Sequence, residues 1–129
     1  MNSTSEIAEL RLPPEPGSVA QARTFAVEAA GVEGEEIAEL LRLLVSELAT
    51  NAVLHARTEF VVRVRPHGTT VRVEVEDRSA DLPRRKAYGP AAVVGRGLVL
   101  VEAIADRWGI RQVPGGKVVW AELEVDDRG

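Results

Sequence analysis

The chain has 129 residues, 45% of them hydrophobic and 28% charged, the balance of one domain with its own core rather than of a disordered or fibrous chain. A formal net charge of −4 and a pI near 5.3 argue against a nucleic-acid binder, because neutralising phosphates requires a basic surface. The absence of cysteine excludes thiolate nucleophiles, CxxC redox chemistry and sulfur-ligated zinc.

The two histidines, His55 and His67, are too few for a histidine metal cage. No uninterrupted apolar run approaches the ~18 residues of a membrane span. The polar start, Met1 to Ser5, lacks the layout of a signal peptide. These features predict a soluble cytoplasmic domain over residues 6–126, between short tails at 1–5 and 127–129.

Ile7 to Leu12 reads as an edge strand ended by Pro13, Pro14 and Pro16. Ser18, with Gln21 three residues on, forms a capping-box pattern that opens a helix with Val19, Ala22, Phe25, Ala26 and Ala29 on one stripe. Gly31 stops it. Glu33, Glu35 and Glu36 suit the positive end of a long helix from about Glu35 to Ala56. Glu59 to Arg65 and Thr70 to Asp77 alternate apolar and polar residues around His67-Gly68, the pattern of a β-hairpin.

From Arg78 to Gly97 the periodicity dissolves into a loop that carries Arg84, Arg85 and Lys86, and its part from Arg78 to Gly95 reads as a mobile lid. Leu98 to Trp108 regains helical spacing, and the strands Trp108 to Val113 and Lys117 to Val125 meet at Pro114-Gly115-Gly116. The order β, α, α, β, β, α, β, β predicts an α+β two-layer sandwich, with helices on one face of a mixed, mainly antiparallel sheet. The helix that joins two strands points to a parallel portion.

Three features break the apolar pattern. The long helix is apolar on most sides, which predicts burial, yet Glu47, Asn51 and His55 recur every four residues and share a stripe roughly 80° wide at ~100° per residue. Such a stripe is either a solvated edge or a place where an amide oxygen meets a hard cation beside a proton acceptor. Val71, Val73 and Val75 form an inward face that period two continues onto Asp77. A carboxylate there either ends the strand in water or requires a partner with donors, such as the exocyclic amine of a purine. Gly95-Arg96-Gly97-Leu98 precedes a helix, where glycines admit close approach and the first amides attract anions. The same pattern also suits a plain loop-to-helix junction.

Taken in order, "VSELATNAVLHA" (Val45 to Ala56), "VEDRSADLP" (Val75 to Pro83) and "GRGLVLVEAIADRWG" (Gly95 to Gly109), followed by "GGKVVWAEL", resemble the N, G1 and G2 boxes and the last strands of the GHKL (Bergerat-fold) ATPases. Within that superfamily the chain is similar to the short actinobacterial relatives of the anti-sigma-factor serine kinases. The resemblance implies a catalytic base at Glu47, Mg²⁺ held by Asn51, and adenine read by Asp77. It also implies ATP contacts at Leu82, Gly95, Arg96, Gly97 and Leu98, and a structural role for His55.

The implied function is an ATP- and Mg²⁺-dependent serine/threonine kinase acting on an anti-sigma-factor antagonist, with that antagonist or a sigma factor as partner and a homodimer allowed. The alternative is a partner-sequestering module with weak or lost nucleotide binding. The free-standing ATPase lobe of a sensor kinase fits less well, because no dimerising helical hairpin precedes the domain. Two G1 glycines of the family are replaced by Ser79 and Asp81, whose side chains are expected either to narrow the adenine pocket or to reshape its floor, and Val118 stands for a threonine near the base.

Overall fold

The computed structural model describes residues 6–79 and 99–125. β1 (Ala8–Leu12) is followed by α1 (Pro16–Ala30), α2 (Glu35–Asn51) and a π turn (Ala52–Ala56). The hairpin β2 (Phe60–His67) and β3 (Thr70–Asp77) comes next, then a helical stretch at 99–104, β4 (Arg107–Val113) and β5 (Gly116–Glu124).

α1 starts earlier than the capping-box pattern predicts. Its N-cap is Glu15, in extended conformation and without a side-chain cap, and Pro16 occupies the first turn. Proline suits that place because its φ is already helical and its missing N–H has no partner to lose. Ser18 therefore lies inside the helix, buried, with its hydroxyl donated to the Pro13 carbonyl at 2.7 Å. Gly31 ends the helix as expected, in the left-handed region at φ 63°, with its N–H on Val27 O.

The five strands form one sheet in the order β1-β2-β3-β5-β4, and all four pairings are antiparallel. The predicted parallel portion is not found among the described residues. β3 and β4 do run in the same direction, as a helical crossover requires, but β5 lies between them. The stretch 99–104 ends sooner than the predicted helix, and Trp108 belongs to β4. The physical reason is Asp106: its N–H donates to Glu122 O at 2.9 Å and its carboxylate accepts the Glu124 N–H at 2.6 Å, which ties the chain to β5.

The helices cover one face of the sheet. Leu41, Leu44, Val45, Leu48 and Ala49 of α2, with Ala22 and Ala26 of α1, meet Val62, Val64, Val71, Val73, Val75, Val119, Ala121 and Leu123 in one core. The predicted long helix is not buried on most sides: Leu40 and Leu43 of α2 and Leu54 of the π turn are 37%, 41% and 54% exposed.

The opposite face carries charge in register. Arg63 bonds Glu9 at 2.7 Å and Glu76 at 2.8 Å. Arg72 bonds Glu74 at 3.0 Å and Glu122 at 2.9 Å, and its guanidinium stacks 4.2 Å from the centre of Trp120. Single pairs of this kind contribute little to stability. Their consequence here is a sheet face on which Arg63 and Arg72 already have partners.

Candidate functional site

The site grows from the C-terminal end of α2. Glu47, half-buried, precedes Asn51 by one helical turn, and Asn51 is the last residue of the α-helix. From Ala52 the backbone widens into the π turn, closed by the Arg57 N–H on Ala52 O at 2.8 Å and ended by Arg57 itself in the left-handed region at φ 58°. Such insertions recur at functional sites because they redirect side chains without ending a helix. The rotation per residue drops across the π turn, so a four-residue count describes Glu47 and Asn51 on α2 but not the backbone that carries His55.

His55 is exposed. Partial desolvation, aided by the positive charges of Arg57 and Lys117, lowers its pKa below the usual 6.5. It is therefore mainly neutral at pH 7.

Asn51 is the polar anomaly of this helix. Its amide nitrogen is buried and has no hydrogen-bond partner among the described residues. A buried donor left unmade is costly. A phosphate oxygen is an acceptor that would satisfy it, while the carbonyl end of the same amide suits a hard cation. Among the described residues no three His, Asp or Glu side chains gather as a metal cluster. A magnesium ion at this place would rest on the Asn51 oxygen and on phosphate oxygens, a ligand set that magnesium accepts.

Asp77 closes β3 and faces the interior, as period two predicts, at 5% exposure. Its partner is the ammonium of Lys117, directly opposite in the β3–β5 register, 3.0 Å from Oδ2 and 3.1 Å from Oδ1. The Ser79 backbone N–H adds a third bond, 2.9 Å to Oδ1. A neighbouring clamp holds the strand end: the Arg78 N–H donates to Thr58 Oγ1 at 3.0 Å.

Lys117 is the residue that sequence reasoning missed. The family resemblance sets Val118 at the place of the last threonine, but Val118 pairs with Glu76 and Arg111, one residue out of phase with Asp77. Adjacent strand residues point to opposite faces. Val118 is thus on the far side of the sheet from Asp77, and Lys117 stands at the site. The signal was available in the strand parity: Val119, Ala121 and Leu123 are the apolar inward set, and Lys117 continues it.

Leu82, Gly95, Arg96, Gly97 and Leu98 lie outside the described residues, as do Asp81, the basic cluster Arg84, Arg85 and Lys86, and most of the predicted lid.

Residues 12–123 match the family described as histidine kinase-like ATPase domain. The chain belongs to that family. The match covers every described element from the end of β1 to β5 and agrees with the GHKL resemblance of its boxes. No curated relative matches.

Among solved structures, the RsbU and RsbW domains of Rv1364c from Mycobacterium tuberculosis superpose with a TM-score of 0.70 at 18% identity, over 94% of this chain and 33% of that one. The Erythrobacter litoralis EL346 blue-light activated histidine kinase matches at TM-score 0.52 and 21% identity, over 87% of this chain and 42% of that one. Its separate histidine kinase domain matches at 0.51 and 19%, over 99% and 71%. At these identities the likeness is one of fold. This chain spans about a third of the Mycobacterium chain it resembles. No described helix is long and apolar enough to cross a membrane.

Proposed function

We propose that this ATPase-family domain is an ATP- and Mg²⁺-dependent regulatory serine kinase of the anti-sigma type, acting in the cytoplasm on a serine of an anti-sigma-factor antagonist. The observation that carries the reading is the buried amide nitrogen of Asn51, without a partner among the described residues, one turn beyond Glu47. An acidic residue next to an amide that lacks its acceptor is what phosphoryl transfer asks of a protein, since most of that catalysis is positioning and charge neutralisation.

In this reading Asn51 orients the phosphate end of the nucleotide with its magnesium, which supplies charge neutralisation at the transferred group. Glu47 takes the proton of the attacking serine hydroxyl as the new Oγ–P bond forms and the bond to the leaving phosphate breaks. The backbone amides of Gly95, Gly97 and Leu98, with Arg96, take the remaining phosphate oxygens. Leu82 is the remaining nucleotide contact that the family resemblance assigns, and Asp77 faces the base.

The test is calorimetric titration with ATP and Mg²⁺, joined to phosphoryl transfer onto a purified antagonist. Magnesium-dependent binding that is lost in Asn51→Ala is expected. Wild-type protein that binds no nucleotide defeats the reading.

One observation favours a second reading, a partner-sequestering module of the same fold. Asp77, the residue the family resemblance assigns to adenine, is already bonded to Lys117. Under this reading, capture of a sigma factor or antagonist is independent of ATP.

A further inference from the structure

We infer that Lys117 sets the nucleotide affinity and base selectivity of this site by acting as an internal ligand of Asp77, in the place where the exocyclic amine of a purine would bond. The inference rests on the nucleotide-binding reading above and deepens it. It concerns a residue that the resemblance leaves without a role.

The first argument is a count of acceptor positions. A carboxylate offers about four lone-pair sites. Oδ1 receives both the Lys117 ammonium at 3.1 Å and the Ser79 N–H at 2.9 Å, and Oδ2 receives the ammonium at 3.0 Å. Counting the bonds among the described residues, one position remains, on Oδ2. A purine amine can use only that one, beside an ammonium already in place.

The second argument is strength. The Lys117 contact is charge-assisted on both sides, whereas a purine amine is neutral and bonds the same oxygens more weakly. The lysine side chain is 7% exposed and that of Asp77 5%. Two charges so enclosed are held together by the cost of leaving either one unpaired. A neutral ligand cannot compensate a stranded ammonium, so Lys117 stays on the carboxylate when a nucleotide arrives.

The third argument is geometry. Lys117 follows Gly116, and a Cβ at position 116 would collide with the Asp77 carbonyl oxygen. The backbone of β5 is therefore pressed against the end of β3. The register pairs the strands continuously from Thr70–Glu124 to Asp77–Lys117, which delivers the lysine directly opposite the aspartate. The ammonium has a short, enclosed path to one acceptor.

The experiment compares ATP with inosine triphosphate, which carries a carbonyl in place of the exocyclic amine, in wild type and in Lys117→Thr. Wild type should bind both nucleotides within about three-fold of each other, because the amine is not read. Lys117→Thr should bind ATP about ten-fold more tightly than wild type and prefer it over inosine triphosphate by a similar factor, the scale of one hydrogen bond to a charged group. Asp77→Asn in the Lys117→Thr background should erase both gains.

Circular dichroism and a thermal melt establish that the variants fold. Should Lys117→Thr unfold, Lys117→Gln is measured in its place, because it keeps the length and loses the charge. A wild type that prefers ATP by more than three-fold overturns the inference, as does a folded variant that binds ATP no better than wild type. Binding by the variant alone upholds the role of Lys117 while defeating the ATP-dependent reading of the wild type. Binding by neither protein overturns both.

Discussion

Gly116 lies so close to the end of β3 that a side-chain carbon at that position would run into the Asp77 carbonyl oxygen and stand 3.0 Å from the Asp77 carbonyl carbon. Both groups belong to the backbone, so neither can swing aside. The requirement for glycine at 116 is therefore steric, and it maintains the approach that sets Lys117 on Asp77.

Gly116→Ala should accordingly lower stability by about 1–3 kcal/mol, the usual cost of forcing extra volume into a packed place. It should also separate Asp77 from Lys117. Urea denaturation measures the first effect. The second is read as a changed ATP affinity in the folded fraction. Unchanged stability would mean that the β4–β5 turn relaxes freely.

Asn51→Leu should stabilise the nucleotide-free domain, since it removes a buried donor that lacks an acceptor. A gain of about 1 kcal/mol is the scale of such a group. The same substitution should abolish magnesium-dependent nucleotide binding, a trade of function for stability that is common at sites built for a ligand. A urea midpoint that rises while the calorimetric signal disappears is the expected pair of results. A loss of stability would show that Asn51 has a structural role.

Glu47→Ala should leave ATP binding within a few-fold of wild type and eliminate phosphoryl transfer, because a general base acts on the reacting proton and not on the bound nucleotide. Transfer onto a purified antagonist, followed by radiolabel, separates the two. Retained transfer removes Glu47 from the chemistry.

The His55 pKa is lowered from 6.5 by partial desolvation, with Arg57 and Lys117 adding repulsion. The folded protein therefore binds fewer protons than the unfolded chain at mildly acid pH. By linkage the domain keeps this stability above pH 6.5 and loses it as the pH falls from there through the lowered folded value. His55→Gln should flatten this acid-side decline, which urea midpoints between pH 7.5 and 5 would register. Arg57→Gly should bring the His55 pKa back toward 6.5 by removing one of the two repelling charges. It should also relieve the left-handed backbone at φ 58°. An NMR titration of the ring protons checks that shift.

Gly109→Ala should disturb the open face of the sheet. A Cβ there would lie 2.8 Å from atoms of the Trp120 ring, its cross-strand partner. The ring would have to leave its place under the Arg72 guanidinium. A loss of about 1–2 kcal/mol and a changed near-ultraviolet dichroism are expected. An unaltered aromatic signal would refute the contact.

Much of this architecture can be read in the chain alone, because local periodicity is a local property. The alternation of Val71, Val73 and Val75 with Arg72, Glu74 and Glu76 dictates a strand with one buried face, and it carries Asp77 into the interior by the same count. The four-residue spacing of Glu47 and Asn51 places both on one edge of α2 in any α-helix. Gly31 ends α1 because a left-handed residue was needed there.

What the tertiary structure decided are relationships between distant segments, for which no single segment carries the information. The insertion of β5 between β3 and β4 turned a predicted parallel portion into an antiparallel sheet. The π turn after Asn51 is invisible to a 3.6-residue count. Above all, Lys117 became the partner of Asp77 across 40 residues of sequence, and Val118 was turned to the other face, through a register that only strand pairing establishes. A shift of one residue reverses every side chain on a strand. The chemistry of the site therefore depends on a parity that the sequence contains and only the folded sheet expresses.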